Sequence, residues 1–242
     1  MNPRTLLSHL ILYALAAFIL ASCGTGNNVF AVGNPSSRIL FIGNSFTFIN
    51  GGVDQQVKRL APSIAVTRLA ISGYRLQDHW NDAATLRAIR GQKWNYVVLQ
   101  EQSQTPVSDP ANFTQYAAML NNEIKLTGAE TILFMTWERP DSIRYGVTTE
   151  NLAAAYYAAA RQLGAKVAPV GLAFARSLQE RPELSLYIQD GHPTAAGTYL
   201  AACVIYATIF GKTPVGISSS AFNIPDDERD FLQRIAAEIM GF

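Results

Sequence analysis

The chain carries few imidazoles able to relay a proton near neutral pH. Of its three histidines, His9 lies in an apolar N-terminal run, which leaves His79 and His192. A serine hydroxyl is a weak nucleophile at neutral pH and needs a base of pKa about 7, the task imidazole usually performs. His192 sits in Asp190-Gly191-His192-Pro193, just ahead of a helical pattern and two residues after a carboxylate. A carboxylate in that position can hold the imidazole tautomer and stabilise the imidazolium that forms on proton transfer. The hydroxyl best placed to use such a base is Ser45, in Phe41-Ile42-Gly43-Asn44-Ser45-Phe46-Thr47. It follows a Gly at the carboxyl end of an apolar, strand-like run, where a backbone N–H is left free beside it. Gly-Asn-Ser taken alone reads equally as an ordinary strand-to-loop turn. His79, between Asp78 and Trp80 inside a helical pattern, reads as a helix-surface or pocket-lining imidazole rather than as the base.

Ser45 and His192 lie far apart in the chain, so the fold must bring them together. Short, almost wholly apolar runs at 38–42, 65–71, 96–100, 131–136 and 166–170 read as strands covered on both faces. Between and after them, helical periodicity predicts helices at 53–60, 76–89, 111–126, 149–163, 194–210 and 226–240. Gly91, Gly128 and Gly164 stand where left-handed helix ends are wanted, and Asp226-Asp227-Glu228 places negative charge at a helix start. This alternation predicts an α/β fold, a flavodoxin-like three-layer sandwich around a five-stranded parallel sheet of order 2-1-3-4-5. Ligands in such sheets bind beyond the strand ends between the first and third strands, so the turns after Ile42 and Leu99 are the expected site.

Composition narrows the classes further. The 242 residues are 49% apolar and only 15% charged, which excludes a disordered chain. Two Cys exclude a disulfide framework, and no P-loop, dinucleotide fingerprint or Cys/His zinc spacing occurs, so neither cofactor nor metal is expected. Arg4 followed by the apolar run 10–21 matches a secretory signal, too short to span a bilayer comfortably. The run ends in Leu20-Ala21-Ser22-Cys23, which resembles a bacterial lipobox and implies lipid on Cys23. The expected organisation is a signal peptide at 1–22, a Gly/Asn/Ser-rich tether at 23–37 and a folded domain at 38–242, held outside the cytoplasm at a membrane surface. Without Arg4 the chain has 18 basic and 18 acidic residues, so no basic surface for nucleic acid is expected. Cys203, inside the apolar run 199–210, reads as a buried structural thiol.

Taken in order, the motifs resemble the SGNH, or GDSL-type, serine hydrolases over residues 38–211. Gly43-Asn44-Ser45 is similar to the first block of that family, with Asn in place of the usual Asp. Gly73, in Ile71-Ser72-Gly73-Tyr74, is similar to the isolated glycine of the second block, and His192 with Asp190 to the last block. A poorly characterised branch is resembled most through Leu99-Gln100-Glu101-Gln102-Ser103 and Thr136-Trp137. The resemblance implies an esterase in which Ser45 attacks an ester carbonyl, His192 moves the proton and Asp190 orients His192. It also implies an oxyanion hole made by the N–H groups of Ser45 and Gly73 and a side-chain amide after the third strand.

Two departures leave alternatives open. The usual acid position is held by Gln189, so either the loop is one residue shorter and Asp190 serves, or a backbone carbonyl orients His192. The usual third-block Asn is absent, and Gln100 and Gln102 are its replacements; if the strand continues, both face one pocket and Glu101 faces away. Asn44, Trp137 and His79 are expected to line the substrate pocket, and Trp137-Glu138-Arg139 would suit a sugar. The expected substrate is an O-acyl ester, with an acetyl ester of a carbohydrate as the specific expectation. The alternative is a non-catalytic ligand-binding or surface-interaction lipoprotein on the same fold.

Overall fold

The computed structural model describes residues 35–218 and 222–242; the signal segment, Cys23 and most of the tether lie outside the described residues. Five strands, β1 (Arg38–Gly43), β2 (Ala65–Ala70), β3 (Tyr96–Leu99), β4 (Glu130–Phe134) and β5 (Lys166–Ala168), form one parallel sheet in the order β2-β1-β3-β4-β5. Side chains of a strand alternate between faces, and both faces are apolar here. Ile39, Phe41, Val98, Ile132 and Phe134 pack on one side, while Leu40, Ile42, Val97, Leu99 and Leu133 pack on the other.

The helices are α1 (Ser45–Phe48), α2 (Val53–Leu60), α3 (Leu76–Asn81), α4 (Ala83–Arg90), α5 (Thr105–Ser108), α6 (Pro110–Leu126), α7 (Thr149–Leu163), α8 (Val170–Glu180), α9 (Ala195–Phe210) and α10 (Asp226–Met240). The first apolar layer is closed by α2, α8, α9 and α10, the second by α3, α4, α6 and α7. α9 is apolar all round because it is covered on every side by the sheet, α2, α8 and α10. Cys203 lies on it, fully buried, and burial pushes its thiol up to about 12.

The structure corrects several expectations. The expected helix 76–89 is two, because Asp82 leaves helical geometry and its carboxylate accepts the Ala84 N–H at 2.9 Å, capping α4. α8 was not expected at all: β5 ends at Ala168, and Val170, expected as the last strand residue, opens a helix. Gly171 passes so close to the Thr136 carbonyl that a Cβ there has no room. Gly128 and Gly164 are left-handed, with φ of 81° and 58°, but Gly91 is right-handed at −75°. Gly91 instead avoids a Cβ that would lie 2.8 Å from the Arg87 carbonyl.

Candidate active site

Ile42 pairs with Leu99 in the sheet, so the turns after β1 and β3 emerge side by side. Gly43 is confined: a Cβ there would meet Thr47 Oγ1 at 2.5 Å and Gln100 Oε1 at 2.6 Å. Asn44 then caps α1, its Oδ1 accepting the Phe46 N–H at 3.2 Å while its Nδ2 donates to the Tyr74 carbonyl at 2.9 Å. One amide therefore starts the helix and ties it to the loop carrying Gly73. Ser45 is the first residue of α1, half-buried, facing the cleft.

His192 comes from a narrow hairpin closed by Ile188 N–H to His192 C=O at 2.9 Å and Thr194 N–H to Leu186 C=O at 3.0 Å. Gly191, with φ of 85°, turns the chain between acid and imidazole. That turn lets Asp190, only two residues away, accept the His192 backbone N–H at 3.0 Å with the same oxygen that lies 2.9 Å from His192 Nδ1. These two contacts, the backbone one foremost, hold the exposed Asp190 carboxyl below its usual range. His192 Nε2 lies 2.8 Å from Ser45 Oγ. Beneath the imidazole, Phe46 meets the His192 ring edge-on at 5.4 Å and stacks on Trp137 at 4.6 Å, and Trp137 stacks on Phe174 at 4.2 Å.

Ser45, His192, Asn44, Gly73 and Gln102 share a cleft of about 210 Å³ with Phe46, Ser72, Ser103 and Arg139. The backbone N–H groups of Ser45 and Gly73 have no acceptor among the described residues. Gln102 Oε1 accepts from Gln104 N–H at 2.9 Å, Thr105 N–H at 3.2 Å and Thr105 Oγ1 at 3.1 Å. With the oxygen so committed, Nε2 is the free end of the amide, and it too lacks a described acceptor. The cleft thus joins a hydroxyl, an oriented imidazole and unused N–H donors, the parts needed to attack a carbonyl and hold the resulting oxyanion.

A solved protein of Slackia heliotrinireducens assigned to the SGNH hydrolases is 30% identical, with 72% of this chain and 98% of that chain covered and a TM-score of 0.65. The chain belongs to the SGNH hydrolases. A DUF4886 family protein of Bacteroides uniformis shares the fold at 17% identity and a TM-score of 0.68, covering 85% of this chain and 95% of its own. The acetylxylan esterase Axe2 of Geobacillus stearothermophilus shares it at 17% identity and a TM-score of 0.56, covering 73% and 95%. No protein-family model matches the chain, and no curated protein matches it.

Three expected site residues of this SGNH hydrolase lie elsewhere. Gln100 is fully buried below the cleft, its Oε1 accepting Asn44 N–H and Thr47 Oγ1, each at 2.9 Å, and its Nε2 donating to the Glu101 carbonyl. β3 ends at Leu99, so strand alternation does not carry Gln100 and Gln102 to one face; Glu101, expected to face away from the pocket, is buried outside the cleft lining. His79 does not line the cleft: it is fully buried, with Nε2 2.8 Å from the Gly43 carbonyl and Nδ1 3.1 Å from Thr85 Oγ1, and burial lowers its pKa. Trp137 is equally buried and donates Nε1–H to the Gly191 carbonyl at 3.1 Å, so it braces the His192 hairpin. Its edge and Glu138 border a separate cavity of about 330 Å³ beside α8, whereas Arg139 reaches the Ser45 cleft. Phe46, Ser72 and Ser103 were not singled out from the sequence; Phe46 and Ser72 adjoin Ser45 and Gly73, and that adjacency was the available signal.

Proposed function

We propose that this SGNH hydrolase is a serine carboxylic-ester hydrolase acting through Ser45, His192 and Asp190. The observation that carries the reading is the continuous relay from Ser45 Oγ to His192 Nε2 at 2.8 Å and from His192 Nδ1 to Asp190 at 2.9 Å, opening on unused N–H donors. Ser45 Oγ attacks the ester carbonyl while His192 Nε2 takes its proton, and Asp190 holds the tautomer with Nε2 unprotonated. The N–H groups of Ser45 and Gly73 and the Gln102 Nε2 amide hold the tetrahedral oxyanion. Collapse expels the alcohol, protonated by His192, and leaves acyl-Ser45. Water then attacks with His192 again as base, releasing the carboxylic acid and free Ser45.

The small cleft, polar except for Phe46, supports a short acyl group over a fatty chain. Ser72, Ser103 and Arg139 at its wall support a hydroxyl-rich alcohol portion, for which an acetylated carbohydrate is our choice. Arg139 is already bound bidentately to Asp141, at 3.0 and 2.6 Å, so its charge is largely spent and favours a neutral ligand over an anion. Lipid on Cys23 would hold the enzyme at a membrane outside the cytoplasm. The test is hydrolysis of p-nitrophenyl acetate, together with fluorophosphonate labelling, by the wild-type protein and Ser45→Ala. Loss of both signals in the variant is expected; equal rates would reject Ser45 as nucleophile.

A further inference from the structure

Ser45 and His192 are 147 residues apart in the chain, so some contact must fix their separation before any substrate arrives. Only one residue besides Ser45 makes a hydrogen bond between the stretch 44–52 and the hairpin and helix start at 185–198, among the described residues: Asn50. Its Nδ2 donates to the Pro193 carbonyl at 2.7 Å and to Thr198 Oγ1 at 2.9 Å. Pro193 directly follows His192, and Thr198 lies in the first turn of α9. The bond therefore reaches the backbone that carries the imidazole.

The backbone of Asn50 supports the same conclusion. With φ of 54°, it is the only non-glycine among the described residues in the left-handed region, and Gly51 and Gly52 follow at 82° and 100°. Asn is the non-glycine residue that enters this region most readily, so the turn keeps its shape while presenting an amide that glycine would lack. The other side of this turn is pinned as well: Arg68 donates to the Gly51 carbonyl at 3.1 Å and pairs with buried Asp54 at 2.6 Å. The turn lies immediately beyond α1, so it is a rigid strut from the sheet, through Asn50, to the His192 hairpin.

We propose that Asn50 is a positioning residue that sets the distance between His192 Nε2 and Ser45 Oγ. This rests on the Ser45–His192 relay proposed above. Misplacing a catalytic group by about 1 Å can cost on the order of 100-fold in rate.

The decisive variant is Asn50→Gly, which suits the turn's backbone and removes only the two donated bonds; the side chain is on an exposed residue, so no cavity is made. With p-nitrophenyl acetate, kcat should fall about 10- to 100-fold while KM stays within about twofold and the melting temperature moves by no more than a few degrees. Fluorophosphonate labelling of Ser45 should slow by the same factor. In a His192→Ala background, Asn50→Gly should change nothing further, because Asn50 acts through His192. Unchanged kcat and labelling in Asn50→Gly, with Ser45→Ala inactive, would overturn the proposal while leaving the esterase reading intact. A loss of kcat accompanied by a drop in melting temperature beyond those few degrees would overturn it by showing a general structural role. Hydrolysis surviving in Ser45→Ala would instead refute the relay itself.

Discussion

Glu101 should make the protein lose stability between mildly acid and mildly alkaline pH. It is fully buried between β3 and α3, where both carboxylate oxygens lie 3.3 Å from Leu76 N–H and Oε1 lies 2.6 Å from Gln102 N–H. Burial pushes its pKa from about 4.5 to about 7; the Gln102 and Leu76 N–H groups and Arg75 pull it back, while Asp78 adds to the rise. As pH climbs through the ordinary glutamate range, the unfolded chain releases this proton and the folded chain retains it. Stability therefore falls with rising pH until the folded carboxyl also ionises, by an amount of about 3 kcal/mol. Glu101→Gln keeps an oxygen for the two N–H donors and removes the titration. Urea unfolding at about pH 5 and about pH 8 should show the wild type losing about 3 kcal/mol more than the variant across the interval. Histidines common to both proteins cancel in this comparison. Parallel stability curves for the two proteins would refute the reasoning, since they would mean that Glu101 releases its proton as freely when folded as when unfolded.

The two glutamines beside it should separate cleanly. Gln102→Glu, which keeps an oxygen for the Gln104 and Thr105 donors and removes the Nε2 amide, should lower kcat at least about 10²- to 10³-fold in ester hydrolysis with little change in melting temperature, as removal of one oxyanion donor does. Gln100→Ala strands the Asn44 N–H and Thr47 hydroxyl without a partner, so denaturant unfolding should show a loss of about 2–3 kcal/mol. His192→Ala should lose nearly as much hydrolysis as Ser45→Ala, and the double variant no more than either, because the pair works as a unit. Cys23→Ala should move the protein from the membrane fraction to the soluble one on cell fractionation; retention in the membrane would refute the lipid anchor.

The sheet was legible because strands buried on both faces need no alternation, only short apolar runs, as in β1, β3 and β4; the edge strand β2, with Thr67 and Arg68 exposed, is only partly covered. The strand order followed from the βαβ rhythm and a preference among doubly wound sheets. α8 was not legible, since Val170-Gly171 continues the apolar character of β5 and nothing local marks the change of period. Ser45 and His192 could be read from their neighbours, Gly43 and Asp190. Asp190 was one of two ways of orienting His192, and what decides for it, the left-handed turn at Gly191 that lets its carboxylate accept from His192, was not legible. Gln100 and Gln102 were placed on one face by extending β3 past Leu99, and one lost strand position was enough to bury the first. His79 and Trp137 carry polar atoms that suggest a pocket. Their buried partners, the Gly43 and Gly191 carbonyls, belong to backbone that no sequence pattern reveals. Asn50 is the extreme case, a surface turn residue whose significance lies wholly in what stands opposite it.

The wide chain separation between Ser45 and His192 also bears on when the relay can exist. Contacts between distant parts of a chain form late, after loop closure has been met by the rest of the sheet. The imidazole comes just ahead of α9, whose apolar surface is fully covered only when the sheet, α2, α8 and α10 are all in place. A nascent chain, or one threaded through a translocation channel in extended form, holds all of the reactive groups and none of the relay. Onset of ester cleavage after dilution from denaturant would accordingly be a clock for the last step of folding rather than for the first.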